Sequence, residues 1–390
     1  MAELEKAVEI DPSYERAREQ LILNYLGNGE NDKALTAAKD YYKHYPDRPG
    51  PSVLLGAVYM QMSLVPDAKK AFSTAISLDP GNPSASSGLA AIALQQGDLN
   101  AASEYYRDSL NKNPGDMETL INLAAVQEAQ GDLAGMQETL TQAKDSDPQA
   151  LQPRLLLARH MIYQGQPENA IILLSPMRQQ YSSSIPLLSL LAEAQFRFRD
   201  YREARATLSR LLAVDPDNAV AHYTMAQVLG ELGDHKGMSE ELAHTVRLNP
   251  QHWEARSLIA KQSIENGDLQ EAEEQIRVLK NLRGERPDVL ILEGRYQLKS
   301  GNPETALALF HRAHEASPNN FSLLLQSGAL VELGRGDEAV ALQRAWLKQY
   351  PDDATTWLDL GSLYLSLGDN ENAREAYLRV NELLPDNAAT

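Results

Sequence analysis

ATTWLDLGSLYLSLGDNENAREAYLRVNELLPDN, residues 354–387, decides how the rest of the sequence is read. Trp357, Leu360, Gly361 and Tyr364 fall at the spacing W-x2-L-G-x2-Y, and Ala373, Tyr377 and Pro385 continue it as a small residue, an aromatic and a closing proline. This spacing predicts two antiparallel helices. Leu360 and Tyr364 share a helical face, small Gly361 and Ala373 let the helices approach, and Gly368-Asp369 turns the chain between them. Pro385 then prevents the second helix from continuing.

The same pattern recurs upstream. Prolines stand at 12, 46, 80, 114, 148, 216, 250, 318, 351 and 385, separated by 34 residues or twice that, except for 33 between Pro318 and Pro351. Ser182 and Gly284 fill the two skipped slots. Residues 15–387 therefore divide into eleven repeats beginning at 15, 49, 83, 117, 151, 185, 219, 253, 287, 320 and 354. The small residue between helices recurs as Ala34, Ala68, Ala102, Ala170, Ala204, Ala272, Ala306, Ala339 and Ala373, with Met136 and Met238 as exceptions, each preceded by glycine. Pro176 falls inside a second helix, where it removes a backbone donor and costs roughly 3 kcal/mol. Residues 176–186 read either as a bend between repeats or as a tolerated local break.

Both ends read as cut. Residues 1–14 hold the second helix of a repeat without its first, and 388–390 would open a further repeat. No polar capping helix covers either end, so the apolar residues Leu4, Val8 and Ile10, and Leu378, Val380 and Leu383, are expected to favour end-to-end self-association.

These repeats resemble the tetratricopeptide repeat. The resemblance implies an all-α, right-handed α-solenoid of helix-turn-helix units whose first helices line a concave groove through repeat positions 2, 5, 6, 9, 12 and 13. Position 9 reads Leu23, Ala57, Ala91, Ala125, then Arg159, Glu193, Gln227, Lys261, Arg295, then Gly328 and Ser362, so long polar groups occupy only the middle. With Tyr163, Phe196, Arg197, Tyr223 and Lys299 beside them, Arg159, Gln227, Lys261 and Arg295 form the candidate partner-binding set, suited to an extended peptide or a sugar polymer. Acids share that face, among them Glu231, Glu254, Glu265 and Asp288, so an equal alternative is that the charges pair with one another across repeats. The carboxylate clamp of co-chaperones with this repeat is not matched: position 5 is never basic, position 9 is never Asn, and Asn122 alone stands at a clamp-like position.

A narrower likeness begins at residue 150. Leu290-Ile-Leu-Glu-Gly294 with Gly301 and Ala306, and Ala345 through Asp353, are similar to bacterial tetratricopeptide lipoproteins of the exosortase-associated PEP-CTERM system. That likeness implies an envelope scaffold for exopolysaccharide production and protein sorting, periplasmic or membrane-anchored through a segment preceding this chain, with a cytoplasmic location as the alternative. The lipidated cysteine such a protein needs is not in this sequence.

Composition narrows the function classes. Net charge is −18, which disfavours binding a phosphate backbone, and no apolar run is long enough to span a bilayer. With no cysteine there is no disulfide, thiolate metal site or thiol nucleophile. His311 and His314 are the only histidines spaced to share a metal, and they have no evident third ligand; no cofactor is expected. The reading is a non-enzymatic scaffold binding other proteins. The rivals are a sugar-polymer-binding solenoid and the repeat region of a larger enzyme such as a glycosyltransferase.

Overall fold

A computed structural model describes residues 2–385, with 23 α-helices, one 3-10 turn and no strand among the described residues. The fold is an all-α solenoid of helix-turn-helix pairs. First helices begin at Glu15, Pro49, Pro83, Met117, Gln152, Ile185, Ala219, Trp253, Pro287, Asn320 and Ala354. Residues 388–390 lie outside the described residues.

The turn within each pair follows from two residues. Gly97, Gly131, Gly233, Gly267 and Gly368 take φ values of 77–80°, the left-handed conformation that ends a helix at little cost when there is no Cβ. The aspartate after each glycine caps the second helix, its carboxylate accepting from the backbone N–H three residues on. Ser63 and Arg199 stand in the glycine's register and are forced into the same conformation, at φ 60° and 64°.

The chain divides into two compact units with the boundary between Phe198 and Arg199, after the first helix of the repeat that begins at 185. In the first unit, the helix Pro167–Leu174 stops early and passes into a 3-10 turn, Ser175–Arg178. Pro176 accounts for this, since it has no N–H to continue the α-helical ladder. Met177 remains buried, so the turn still contributes to the core.

Within each repeat, positions 8 and 24 meet across the helix pair, and their sizes are reciprocal. In the first unit Ile22 faces Ala38, Gly56 faces Phe72, Ala90 faces Tyr106, Ala124 faces Leu140 and Ala158 faces Leu174. In the second, Ala226 faces Leu242, Ala260 faces Ile276, Gly294 faces Phe310 and Gly361 faces Tyr377. Ser327 and Gln343 replace the apolar pair with a buried hydrogen bond of 2.7 Å. The glycines are sterically required: a Cβ at Gly56 would lie 2.6 Å from the Phe72 ring, and one at Gly88 in the next repeat 2.5 Å from the same ring. Room for Met238, the exception to the small-residue rule in its repeat, comes from the facing helix, where a Cβ on Gly230 would lie 3.0 Å from its sulfur.

A second contact recurs at four of the junctions between repeats. The side chain at position 4 reaches back six residues to the carbonyl of the closing proline: Arg18 Nε to Pro12 at 2.6 Å, Arg256 Nε to Pro250 at 2.8 Å and Trp357 Nε1 to Pro351 at 2.8 Å. His222 Nε2 lies 3.0 Å from the Pro216 carbonyl in the same register. Three of these residues also engage the second helix of their own repeat, at Asp40, Gln275 and Glu241.

The end faces are more covered than the sequence indicates. Leu4 and Val8 pack against the core around Leu21, Ile22 and Tyr25, leaving Ile10 as the residue that is mostly exposed, and Val380 is buried within its own repeat. Leu378 stays half exposed because it points away from the facing helix.

The reciprocal pairs generate a prediction. Gly294→Ala places a methyl inside the Phe310 ring and is expected to cost about 1–3 kcal/mol in chemical unfolding. Adding Phe310→Leu recreates the Ala226–Leu242 pairing and should recover most of that loss. Costs that simply add in the double variant would show that the two positions do not share one space.

Candidate functional site

In the first unit, four of the residues singled out from sequence lie on two first helices. Arg159, on Gln152–Tyr163, is exposed and approaches Glu128 of the preceding repeat at 3.5 Å. Tyr163 ends that helix 90% exposed, with its ring in solvent. On Ile185–Arg197, Phe196 is half-buried, and Arg197 is exposed and donates to Glu193 one turn earlier at 3.0 Å.

In the second unit, Tyr223 is partly buried. Its ring lies 4.5 Å from that of His252 and packs against the cluster of Ala226, Leu242 and Ala255. Burial, with Glu254 nearby, raises its phenol above the ordinary value. Gln227 is half-buried, and Lys261 is exposed on Trp253–Asn266. Arg295 and Lys299 are the two predicted residues brought together around one open space. They line a cleft of about 560 Å³ to which three successive first helices contribute: Ile264 and Glu265 from Trp253–Asn266, Arg295, Leu298 and Lys299 from Pro287–Lys299, and Leu325 and Glu332 from Asn320–Glu332.

The charge pattern of this cleft is mixed. Arg295 lies 3.5 Å from Glu265, repeating the Arg159–Glu128 arrangement, whereas Lys299 is exposed and makes no ion pair among the described residues. The cross-repeat pairing foreseen as an alternative therefore occurs for Arg159 and Arg295, and exposed pairs of this kind contribute little to stability. Glu332 and the apolar floor of Ile264, Leu298 and Leu325 were not singled out from sequence. Repeat position 13, which Glu265, Lys299 and Glu332 share, carries the signal that finds Glu332, and positions 12 and 6 hold the apolar floor.

A second cleft, about 630 Å³, opens at the junction before Ala354 and is lined by Pro318, Asn319, Asn320, Trp346, Gln349, Tyr350 and Pro351 through Asp353. Trp346 and Tyr350 stack one turn apart at a centroid distance of 4.2 Å. Asp353 caps the helix Ala354–Ser366 and gathers four donors: Thr356 Oγ1 at 2.7 Å, Trp346 Nε1 at 2.9 Å, the Thr356 backbone N–H at 3.2 Å and Asn320 Nδ2 at 3.3 Å. Burial alone would raise its carboxyl, but the donors from Thr356, Trp346 and Asn320 outweigh it and hold the group below the ordinary value of 3.8.

The two histidines spaced for a metal turn to different partners. His311 lies 3.2 Å from Gln326 and 3.4 Å from Glu315, while His314 is half-buried, bonded to Ser322 at 2.8 Å and edge-on to Trp346. Among the described residues no group of three His, Asp or Glu side chains is placed to hold a metal ion, and no helix is long and apolar enough to cross a membrane.

Comparison with known proteins adds the following. Residues 59–125, 161–228 and 297–354 match a family model described as tetratricopeptide repeat, and residues 354–387 match a second model of the same description, together more than half of the chain. A TPR repeat-containing thioredoxin of Arabidopsis thaliana is 38% identical over 96 residues, which are 24% of this chain and only 14% of that protein. Among solved structures, the APC/C hetero-tetramer Cut9-Hcn1 aligns over 99% of this chain and 90% of its own at 15% identity and a TM-score of 0.47. A tetratricopeptide repeat protein of Parabacteroides merdae aligns over 63% of this chain and 97% of its own at 17% identity and 0.47. YrrB, described as a TPR protein with an unusual peptide-binding site, aligns over 48% and 96% at 21% identity and 0.42. The family matches support the general repeat and do not support the narrower exosortase-associated likeness.

Asp353 gives this region an acid limit. Because its folded value lies below the unfolded one, its contribution is complete above the ordinary value of 3.8 and is lost as pH falls through the folded value. Asp353→Asn is expected to flatten the acid limb of the stability profile below about pH 4. It should also lower stability by about 1 kcal/mol at neutral pH, because the bonds from Thr356, Trp346 and Asn320 lose their charged acceptor. An unchanged acid limb, followed through the near-UV dichroism, would remove Asp353 from this role.

Proposed function

The chain belongs to the tetratricopeptide-repeat family, and we propose that it is a non-catalytic scaffold that takes an extended segment of a partner protein along its first helices. The observation that carries this reading is the cleft shared by Trp253–Asn266, Pro287–Lys299 and Asn320–Glu332. An apolar floor beneath Arg295, Lys299, Glu265 and Glu332 suits a peptide that places one apolar side chain inward and charged ones on the rim. Lys299, the rim cation without an acid of its own, favours a partner carboxylate at that point. Arg159, Tyr163, Phe196 and Arg197 in the first unit, and Tyr223, Gln227 and Lys261 in the second, extend the proposed contact set.

The setting we propose is a bacterial envelope assembly concerned with exopolysaccharide production and protein sorting. It rests on the likeness of Leu290 through Gly294 and Ala345 through Asp353 to exosortase-associated repeat lipoproteins. Fractionation of the native host tests it, and recovery of the protein solely with soluble cytoplasmic material would count against it.

Binding is tested by selecting peptides against the chain from a displayed random library and measuring their affinity by calorimetry. Arg295→Ala and Lys299→Ala should each weaken the selected peptides by about 1–2 kcal/mol, whereas Val53→Ala, Met60→Ala and Ile121→Ala in the apolar early repeats should leave them unchanged. Loss of binding only with the second set would move the site to the first unit. Selective retention of glycans on an array, with no peptide selected, would favour the sugar-polymer reading.

A further inference from the structure

The junction cleft at Trp346 and Tyr350 has an internal counterpart that indicates its ligand. Tyr45 and Tyr350 each stand immediately before the closing proline of a repeat, and each packs on an aromatic one turn earlier, Tyr41 and Trp346 respectively. At the first junction the residue two beyond the proline is Arg48, whose guanidinium lies over the Tyr45 ring at 5.4 Å and pairs with Glu15. At the later junction that position is Asp353, which is taken up by Thr356, Trp346 and Asn320. No cation lies over Tyr350 among the described residues, and its side chain is 48% exposed.

The surroundings carry negative charge. No basic residue lines the cleft, while Asp352 and Asp353 both do. Arg379 reaches Asp352 from outside at 3.1 Å but is shared with Glu382, so these four side chains sum to −2 at neutral pH. At three other rings this chain supplies its own cation, Lys33 over Tyr25 and Arg283 over Trp253 as well as Arg48 over Tyr45. An aromatic face open to solvent, in surroundings of net negative charge although Asp352 is paired with Arg379 and Asp353 is hydrogen-bonded, attracts a cation by the same quadrupole interaction.

We propose that this cleft docks an arginine side chain of a basic partner segment, its guanidinium over Tyr350 as that of Arg48 lies over Tyr45 and hydrogen-bonded to Asp352, which it shares with Arg379. Arginine fits better than lysine because its planar cation stacks on the ring and donates to a carboxylate at the same time. The site shares no residue with the cleft at Arg295 and Lys299, so either can fail without the other.

The test uses the three tryptophan indole N–H signals, Trp253, Trp346 and Trp357, in a nitrogen-15 correlation spectrum of the whole chain. Trp346→Phe assigns the signal. N-acetyl-arginine methylamide should move the Trp346 resonance saturably, in the millimolar range expected of one side chain, with Trp253 unmoved. The neutral citrulline analogue should not move it. Tyr350→Ala, at an exposed position, should weaken the response roughly fivefold, and raising salt to about 0.5 M should weaken it further. An unmoved Trp346 signal, an equal response to citrulline, or a response to maltose in place of arginine would each overturn the proposal.

Discussion

The contact on which the rest depends is the reciprocal fit of repeat positions 8 and 24. Helix pairs must approach closely enough for the next pair to stack on them, so the combined volume at this crossing is nearly fixed while its division between helices is free. Gly294 with Phe310, Ala226 with Leu242 and Ile22 with Ala38 are three ways of dividing it. Interiors pack to crystal-like density, so in most pairs a methyl gained on one side is lost on the other, with Ala90 and Tyr106 as the larger exception. The polar solution at Ser327 and Gln343 obeys the same limit, and it adds a demand: the Gln343 amide nitrogen is satisfied by Ser327 and by Asp359 of the next repeat, at 2.6 Å.

Stacking then needs a second constraint, because a well-packed pair can still rotate against its neighbour. The bond from position 4 to the proline carbonyl provides it. A proline ending a helix leaves carbonyls without intrahelical partners, and a buried orphan acceptor costs about as much as a lost hydrogen bond. Arg18, Arg256 and Trp357 satisfy that acceptor with three different side chains. Where the bond forms, the position supplies an N–H at a given reach, as indole at Trp357, guanidinium at Arg18 and Arg256 and imidazole at His222, whereas Leu120, Leu188, Leu290 and Leu323 stand there in other repeats without one. Ser52 and Ser86 occupy the same position with hydroxyls too short to reach, and both remain buried without a partner.

This division of labour explains what was legible in the sequence. Prolines, loop glycines and interhelical alanines each answer a local geometric need, so counting them places the helix starts to within a residue. Ser63 and Arg199 escape such counting because tertiary packing holds them in a conformation their own chemistry disfavours. The site was harder to read. The series at position 9 identifies long polar groups but not their partners, and Arg159 and Arg295 turn out to be drawn to Glu128 and Glu265 of the preceding repeats. Tyr223 has the same spacing as a groove residue, yet its ring is claimed by the core beside His252. The pair Trp346 and Tyr350 was missed for the opposite reason: aromatics one turn apart near a helix end read as core, and only the neighbouring residue at 353 determines whether the ring is covered.

That last difference bears on how a repeat protein acquires function. Positions 8 and 24 are bound by packing against each other, so recognition has to be written into positions that packing leaves free. Two such positions recur here. One faces the neighbouring first helix, where Lys299 stands without the acid that Arg295 has in Glu265. The other lies two residues past the closing proline, where Arg48 covers its own ring and Asp353 leaves Tyr350 open. In both, a group whose counterpart elsewhere in the chain is satisfied internally has been left unsatisfied at a surface cleft. On the proposals made above, the internal partner indicates the chemistry of the external one: a carboxylate for Lys299, and a guanidinium for Tyr350.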